Sequence, residues 1–407
     1  MNYKKLLPVM LCFFAMGFVD MVGIASNYVK ADLDLSDSMA NTLPSLVFLW
    51  FLIFSIPTSL LMNKIGRKNT VLLSLVLTLA AMVVPVFTLD FTMLLLSFSL
   101  LGIGNAIMQT SLNPLVDSVM KGGASASTLT FGQFIKSIAS FLAPIIASWG
   151  ATTNAFGFGW RAIYPIYLCI GILTTLLLFG TKIEDPKTLS NSPLKGEKQS
   201  STKVNTAQEV SPLRGDLEGS FFGSFALLRD PFILLCFLAI ICHVGIDVGT
   251  SVTAPKILME RAQMSLNEAA IIGTIYFVAK AAGSFSGSFI MGYVKDWTFL
   301  LLSVLMMVVS AFGLVFGESA TVIYVSVALM GFGNGNPFSI VFARALQAVP
   351  DKKNEVSGLL IMGIFGGTVF PLLMGFASDA FGQTGAVAVM SLGIIYLLAF
   401  YLQGRKA

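Results

Sequence analysis

Residues 6–29 read LLPVMLCFFAMGFVDMVGIASNYV, a run in which Asp20 is the one charged side chain. At a rise of about 1.5 Å per residue, a helix of this length is about 36 Å long and crosses a hydrocarbon core of about 30 Å. An aspartate at the centre of such a helix costs about 3 kcal/mol on insertion scales. The same feature returns at Asp247, which lies in the similar segment GIDVG at residues 245–249. The repetition predicts a membrane protein built from two related halves.

The whole chain is as apolar as this first segment. Of its 407 residues, 56% are hydrophobic and 11% are charged, whereas soluble domains carry about 25% charged residues. We therefore expect an all-α membrane protein with lipid around most of the chain. The net charge of +4 comes from basic residues in membrane loops, so we expect no nucleic-acid partner. Because no nucleotide-binding loop, metal cluster or nucleophile with a base is recognisable, we expect neither an enzyme nor a cofactor.

Twelve apolar runs are long enough to span a membrane. One long polar stretch, residues 183–230, separates the sixth run from the seventh, and its first part has the composition of a flexible linker. The apolar residues 221–228 at its end are predicted to lie on the membrane surface. We expect an N-terminal six-helix half at 1–182 and a C-terminal six-helix half at 231–407. The twelve runs are 6–29, 41–62, 69–88, 92–116, 125–150, 160–181, 231–254, 267–293, 298–316, 320–347, 355–378 and 384–403.

The distribution of basic residues predicts the orientation of the chain. If both termini face the cytoplasm, 19 of the 25 Lys and Arg residues lie on the cytoplasmic side and four lie on the other side. The remaining two, Lys136 and Lys280, fall inside spans. This asymmetry predicts a multi-pass protein of the cell (inner) membrane with both termini and the linker in the cytoplasm.

Further correspondences support the repeat. Pro144 and Pro371 are separated by the same number of residues as Asp20 and Asp247, and LGIGN at 101–105 matches MGFGN at 330–334. Two sets of six spans in a parallel repeat are the layout of the major facilitator fold. The loop NKIGRK at residues 63–68 resembles the signature loop of that superfamily, D-R-x-G-R-R, with Asn63 in the position of the Asp.

A closer resemblance lies in the eleventh span. Residues 364–379 read IFGGTVFPLLMGFASD, which resembles the run I-x-G-G-x-x-x-P-x-x-M-G-x-x-S-D of the fucose–galactose–glucose:proton symporter family. Residues 109–114, QTSLNP, resemble E-T-A-x-N-P of that family, and residues 129–133, LTFGQ, resemble L-N-L-A-Q. The resemblance implies a transporter of a monosaccharide or sugar derivative, coupled to a cation gradient.

The chain departs from the family at the residues that would couple transport. Gln109 replaces the family's acid in the fourth span, and Lys136 replaces an Asn in the fifth. The family's acid in the first span would fall near Gly23, and Asp20 lies about one helical turn earlier. The resemblance therefore supports the fold and the sugar-transporter affiliation better than the proton-coupling residues.

The charged residues inside the spans are candidates for the transport site, because intramembrane ionisable groups are usually functional. Asp20 and Asp247 could load and release a proton or bind Na⁺. Alternatively, each could be the permanent structural partner of a nearby base. Lys136 and Lys280 could neutralise these two acids, or they could bind an anionic group of the substrate, such as the carboxylate of a sugar acid.

Uncharged polar groups in the central spans are candidates for substrate contacts, because amides both donate and accept hydrogen bonds. We expect Gln109, Asn113, Gln133 and Asn336 to bind the solute. For Asn105 and Asn334, which follow G-x-G motifs, close helix packing is the preferred interpretation. We interpret His243 as a packing residue. Trp50, Tyr276 and Phe338 are the candidates for ring stacking on a sugar.

We therefore predict a monomeric twelve-helix transporter that moves a small polar solute, a monosaccharide or sugar derivative, by alternating access with H⁺ or Na⁺. The solute would bind at the midplane between the halves, and Asp20 would be the coupling acid. Three alternatives stay open: an organic-anion or sugar-acid transporter that uses Lys136, an exporter of amphipathic compounds, and a nutrient sensor with this fold.

Overall fold

The computed structural model describes residues 3–35, 37–120, 126–183, 223–264, 266–269 and 271–404, and all regular structure in these ranges is helical. The helices of the first half are Tyr3–Met16, Gly17–Met21 (3₁₀), Val22–Asp32, Asp37–Ile65, Arg67–Phe87, Phe91–Val119, Ala126–Thr153, Ala155–Gly157 (3₁₀), Gly159–Ala162 (3₁₀) and Ile163–Gly180. Those that follow are Leu227–Arg229 (3₁₀), Pro231–Arg261, Leu266–Ala269, Ile271–Ile290, Asp296–Phe316, Ala320–Asn334, Pro337–Ala348, Pro350–Lys352 (3₁₀), Lys353–Met362, Gly363–Phe365 (3₁₀) and Gly366–Gly404.

These helices form twelve membrane spans. Within the described ranges, ten stretches are long and apolar enough to cross a membrane. One of them, Pro350–Gly404, reverses at Phe381 and Gly382, whose backbone leaves the helical region, and so supplies two spans. The helix Ile271–Ile290 supplies the eighth span. The predicted fold class is confirmed, and the even number of spans places both ends of the chain on one face, called here the terminal face.

Three spans are interrupted near their middle, whereas their counterparts in the other half are continuous. The first span changes to a 3₁₀ turn at Gly17–Met21, which contains Asp20. The eleventh has a 3₁₀ turn at Gly363–Phe365, and the tenth breaks before Pro337, whose ring nitrogen carries no N–H to continue the helix. Such breaks leave backbone groups without a helical hydrogen bond. At membrane depth these groups must be buried in protein or line a water-filled cavity, so the breaks point to a site in the interior of the molecule.

The first and fifth spans approach each other closely at Gly17. A Cβ atom there would collide with the carbonyl oxygen of Lys136 and with the side chain of Ala139. The close approach brings the 3₁₀ turn of the first span against the fifth span, next to Lys136.

The two halves are joined on the terminal face by a set of polar contacts, called here the terminal clasp. Asn63 donates to Glu355 at 2.7 Å and accepts from Asn354 at 2.6 Å. Arg67 donates to Asn354 at 2.8 Å, and Lys353 pairs with Asp117 at 2.6 Å. The signature loop therefore has an amide where the superfamily has an acid, and the acid that it contacts, Glu355, comes from the other half.

Most of the linker, residues 184–222, lies outside the described residues. Residues 223–226 are helical and Leu227–Arg229 forms a 3₁₀ turn, after which Asp230 caps the seventh span by accepting from the backbone N–H groups of Phe232 and Ile233. The predicted division into 1–182, 183–230 and 231–407, and the predicted surface position of residues 221–228, stay predictions.

Candidate functional site

A cavity of about 1090 Å³ lies between the two halves. Its walls come from the first, second, fourth and fifth spans of one half and the seventh, eighth, tenth and eleventh of the other. The lining extends along the fifth span to Thr152, next to the last residue of the helix Ala126–Thr153. Because the terminal clasp closes the other side, the cavity opens toward the face opposite the termini.

Asp20 and Lys136 face this cavity as a loose pair. Lys136 Nζ lies 3.7 Å from Asp20 Oδ2, which is a salt bridge without a hydrogen bond. The Asp20 side chain is 34% exposed and that of Lys136 is 21% exposed. The hydroxyl of Ser140 donates to the Asp20 carboxylate and also lies 3.1 Å from the carbonyl oxygen of Lys136. Ser140 is one helical turn beyond Lys136, so both side chains meet the 3₁₀ turn of the first span.

Asp247 and Lys280 form a second pair, and it is held tightly. Lys280 Nζ lies 2.5 Å from Asp247 Oδ2, while the hydroxyl of Tyr276 donates to Oδ1 at 2.6 Å. Asn334 donates to the Tyr276 oxygen at 3.0 Å. Both carboxylate oxygens of Asp247 therefore have a donor within hydrogen-bond distance. The contrast with Asp20 is one of geometry, since both pairs line the same cavity.

The amides of the fourth span connect the cavity to the broken first span. Gln109 lines the cavity and donates to Asn105 Oδ1 at 2.7 Å. Asn105 in turn donates to the carbonyl oxygen of Met16 at 2.8 Å, at the point where the first helix gives way to the 3₁₀ turn. Asn105 thus stabilises the backbone beside Asp20, a role beyond the helix packing that the sequence suggested.

Gln133 also lines the cavity, one helical turn before Lys136. In the described part of the chain, no hydrogen bond is made by its amide group, while its carbonyl oxygen accepts from Ser137 at 2.9 Å. The amide is therefore available to a bound solute.

Two of the predicted substrate contacts lie away from the cavity. Asn113 is buried one turn closer to the terminal face than Gln109, and its amide donates to the Gln109 carbonyl oxygen at 3.0 Å. Asn336 is buried in the break of the tenth span, with its side chain pressed against Gly287. Neither residue lines the cavity, so the geometry gives no support to their predicted contact with substrate. The structure brings together the other six predicted residues: Asp20, Gln109, Gln133, Lys136, Asp247 and Lys280.

Sequence reasoning missed Ser140 and assigned Tyr276 and Asn334 to other roles. A signal for Ser140 exists, because one face of the fifth span is polar at helical spacing on both sides of Pro144. That face carries Gln133, Lys136, Ser137, Ser140, Ser148 and Thr152. Tyr276 is buried and its hydroxyl is engaged by Asp247.

Aromatic rings form much of the remaining wall. Of the three rings considered for stacking, Phe338 lines the cavity, while Trp50 lies against Gly102 and Tyr276 against Gly331. His243 lines the cavity, and its ring centroid lies 5.9 Å from that of Phe338. The other aromatic lining residues are Phe48, Phe51, Phe141, Trp149 and Phe277. Among the described residues, no group of three or more His, Cys, Asp or Glu side chains is placed to hold a metal ion.

The sequence that folds into these two six-helix halves around a largely apolar cavity matches a known family. The family model of the Major Facilitator Superfamily matches residues 9–363. The chain belongs to the Major Facilitator Superfamily. Members of this superfamily are transporters, so the chain is a multi-pass membrane transporter and not an enzyme, as the sequence predicted.

Individual relatives cover nearly the whole chain. A glucose/galactose transporter of Brucella abortus is 24% identical over 410 residues, which cover 98% of this chain and 93% of the relative. A hexuronate transporter of Bacillus subtilis is 22% identical over 305 residues, which cover 72% of this chain and 66% of the relative. A crystal structure of the Escherichia coli fucose:proton symporter FucP superposes with a TM-score of 0.79 at 18% identity, covering 98% of both chains. The structural likeness confirms the fold, and the resemblance drawn from residues 364–379 is confirmed by these relatives.

Proposed function

We propose that this transporter is a proton-coupled symporter of a monosaccharide or sugar derivative. The observation that carries the proposal is the cavity that holds Asp20, which is closed on the terminal face and open on the other. A loosely paired acid in such a cavity can take up a proton from one side and release it to the other. The Brucella abortus relative is a glucose/galactose transporter and FucP is a fucose:proton symporter, which supports a sugar as the solute and a proton as the coupling ion.

The wall of the cavity suits a sugar. Gln109 and Gln133 supply amides that pair with hydroxyl groups, and the rings of Phe338 and Phe141 offer apolar faces to the C–H groups of a pyranose. Lys136 adds an ammonium group that can donate to a solute oxygen. Few, well-placed polar groups on a mostly apolar wall are the usual composition of a small-molecule site.

Asp20 is the better coupling acid of the two. Asp247 already accepts from Lys280 and Tyr276 at hydrogen-bond distance, so changing its protonation would disrupt a complete network. Asp20 is more exposed and lies beyond hydrogen-bond distance of its lysine. We assign cation coupling to Asp20 and a supporting role to Asp247, whose network connects the seventh, eighth and tenth spans. Na⁺ is the competing coupling ion.

Transport would proceed by alternating access of the two halves, 1–182 and 231–407, around the fixed site. The terminal clasp would open as the other face closes. The excess of Lys and Arg on the terminal face supports a cytoplasmic position for both termini in the cell (inner) membrane. The cavity then opens to the outside in the state described here. Because one chain supplies the whole cavity, we propose a functional monomer.

A second candidate, an organic-anion or sugar-acid transporter, is favoured by one observation. The only charged partner of Lys136 in the described structure is Asp20 at 3.7 Å, so its N–H donors face the cavity. A carboxylate could bind there. The name of the Bacillus subtilis relative, a hexuronate transporter, is consistent with this candidate.

Uptake into proteoliposomes distinguishes the candidates. The purified protein would be offered labelled neutral hexoses, hexuronates and unrelated organic acids, with a pH gradient or a Na⁺ gradient imposed separately. Accumulation of a neutral hexose driven by the pH gradient supports the proposal. Accumulation driven by Na⁺ alone overturns the choice of ion, and uptake confined to acids overturns the choice of solute.

A further inference from the structure

The coupling site contains a hydroxyl group with two acceptors. Ser140 Oγ carries one hydrogen atom, yet it lies within hydrogen-bond distance of both the Asp20 carboxylate and the Lys136 carbonyl oxygen. A serine hydroxyl donates one bond and accepts others. Which acceptor it serves therefore depends on whether Asp20 is ionised or protonated.

We propose that Ser140 is a positioning residue that keeps Asp20 hydrogen-bonded in both protonation states and thereby allows Lys136 to exchange partners. When Asp20 is ionised, Ser140 donates to its carboxylate. When Asp20 takes up a proton, its new O–H donates to Ser140 Oγ, and the serine hydrogen turns to the Lys136 carbonyl oxygen. This inference rests on the proposed symport function, because it describes how the proton and the solute load together.

The charges balance at each step. The proton comes from water in the cavity, which the Asp20 side chain reaches. Protonation removes the negative charge opposite Lys136, whose ammonium keeps its own charge and loses its counter-charge. An unpaired ammonium in a largely apolar cavity is unfavourable, so the group binds an oxygen atom of the solute instead. The oxygen is a hydroxyl in a neutral sugar or a carboxylate in a sugar acid.

The neighbouring groups do not replace Ser140 in this role. Lys136 of the fifth span pairs with Asp20, and Tyr167 of the sixth span lies close enough to interact with it electrostatically. Tyr167 donates its hydroxyl to the carbonyl oxygen of Ala139 at 2.6 Å. The fourth span contributes the uncharged Gln109 and Asn105.

The second pair lacks this arrangement. Ser251 lies one turn beyond Asp247, but its hydroxyl donates to the Asp247 carbonyl oxygen at 3.0 Å. The donors to the Asp247 carboxylate are Tyr276 and Lys280. Partner exchange is therefore confined to the first half of the molecule.

The test is the pH dependence of labelled-sugar uptake by wild type, Ser140→Ala, Ser140→Thr and Ser140→Val in proteoliposomes. A bond to an ionised acceptor is about twice as strong as one between neutral groups, so losing the hydroxyl disfavours ionised Asp20 more than protonated Asp20. The pH of half-maximal uptake should rise by up to about one unit in the Ala and Val variants. Ser140→Thr, which keeps the hydroxyl, should retain the wild-type midpoint.

Ser137→Ala is the matched control for the midpoint. The Ser137 hydroxyl lies on the same helix, but it donates to the backbone carbonyl oxygen of Gln133 and not to Asp20. An unchanged midpoint in both Ser140→Ala and Ser140→Val, with uptake intact, overturns the inference. The inference is also overturned if the pH midpoint of Ser140→Thr shifts as far as that of Ser140→Val, because threonine and valine have the same shape and differ in the hydroxyl.

A ligand-free measurement separates this inference from the proposed function. If the wild type transports no sugar, the proposed function fails. The pH dependence of the melting temperature of the purified protein still reports on the contacts among Asp20, Lys136 and Ser140. The pH at which the melting temperature changes should be higher in Ser140→Ala and Ser140→Val than in the wild type. It should be unchanged in Ser140→Thr and Ser137→Ala. Identical curves for all five proteins overturn the inference on their own.

Discussion

Lys136 Nζ lies 3.7 Å from Asp20 Oδ2, beyond hydrogen-bond distance, in a cavity that opens to one face of the membrane. The contact combines a lysine of the fifth span with an acid in the 3₁₀ turn of the first span. An ion pair that is weak and partly hydrated can be broken at low cost, whereas a pair whose carboxylate oxygens both hold a hydrogen-bond donor is more costly to break. This difference determines the expected behaviour of the two acids.

Replacing Lys136 by Asn should separate neutral sugars from acids. A hydrogen bond from a charged donor contributes about 1.5–3 kcal/mol, so KM for a sugar acid should rise about ten- to a hundredfold in Lys136→Asn. KM for a neutral hexose should change far less, because Asn still donates to a hydroxyl. Initial rates of labelled uptake measure both values. Lys256→Asn, at an exposed lysine outside the cavity, is the control. Unchanged KM for sugar acids would show that Lys136 does not bind them.

Breaking the second pair should cost stability rather than specificity. Lys280→Met leaves the half-buried Asp247 carboxylate without its cation, and loss of a hydrogen-bonding partner from such a group costs about 1–3 kcal/mol. The double variant Asp247→Asn with Lys280→Met should recover part of that loss, because the uncompensated charge is gone. Thermal unfolding in detergent ranks the stabilities of the wild type, Lys280→Met and the double variant. A double variant less stable than Lys280→Met would contradict the account of this network.

The terminal clasp should hold the cavity open to the opposite face. Lys353→Ala combined with Glu355→Ala removes contacts worth about 1 kcal/mol in total. The population ratio of the two states therefore shifts about fivefold toward the state that is open to the terminal face. The probe is Thr152→Cys in a chain whose four native cysteines are replaced by serine. An impermeant maleimide added on the face opposite the termini should label it more slowly in the clasp variant.

The control for the clasp is Arg344→Ala. Arg344 pairs with Asp296 at 2.6 Å, and both residues belong to the second half, so breaking this pair leaves the contact between the halves in place. Its labelling rate should match that of the parent. Equal slowing in the control and in the clasp variant would mean that the effect is not specific to the interface.

Gly17 should be essential for the approach of the first span to the fifth. The Cβ of Gly17→Ala would collide with the Lys136 carbonyl oxygen, and overpacking of this kind costs about 1–3 kcal/mol. We expect a lower melting temperature and loss of sugar accumulation. Gly23→Ala is the matched control for stability, since no atom lies within 4 Å of its added Cβ. Equal melting temperatures for Gly17→Ala and the wild type would contradict the close contact.

The fold was predictable because lipid imposes a simple length rule. A spanning helix needs about 20 apolar residues, and the twelve runs satisfied it. The interruptions at Gly17–Met21 and Gly363–Phe365 were not predictable, because neither segment contains a proline and the local 3₁₀ turns depend on packing against the neighbouring spans. Pro337 predicts the break in the tenth span, but it does not predict where the neighbouring side chains point.

Which asparagine of the tenth span faces the cavity was not predictable from the sequence. A continuous helix would carry Asn334 and Asn336 on different faces, and sequence alone favoured Asn336 as the substrate contact. In the structure the helix is interrupted between Asn334 and Pro337, Asn334 lines the cavity, and the Asn336 side chain packs against Gly287. Gln109 and Asn113 share a helical face, but they differ in depth by one turn, and the floor of the cavity lies between them. The pairing of Lys136 with Asp20 was one of two alternatives, and choosing it required the packing of the first span on the fifth.

The most direct test of the central claim compares two transport modes of Asp20→Asn in proteoliposomes. Accumulation of labelled sugar against its gradient requires coupling to protons, whereas exchange of labelled for unlabelled sugar at equal pH requires only solute binding and alternating access. The account predicts that Asp20→Asn loses pH-driven accumulation and retains exchange, because asparagine cannot carry the proton. Full pH-driven accumulation by Asp20→Asn would contradict the assignment of Asp20 as the coupling acid.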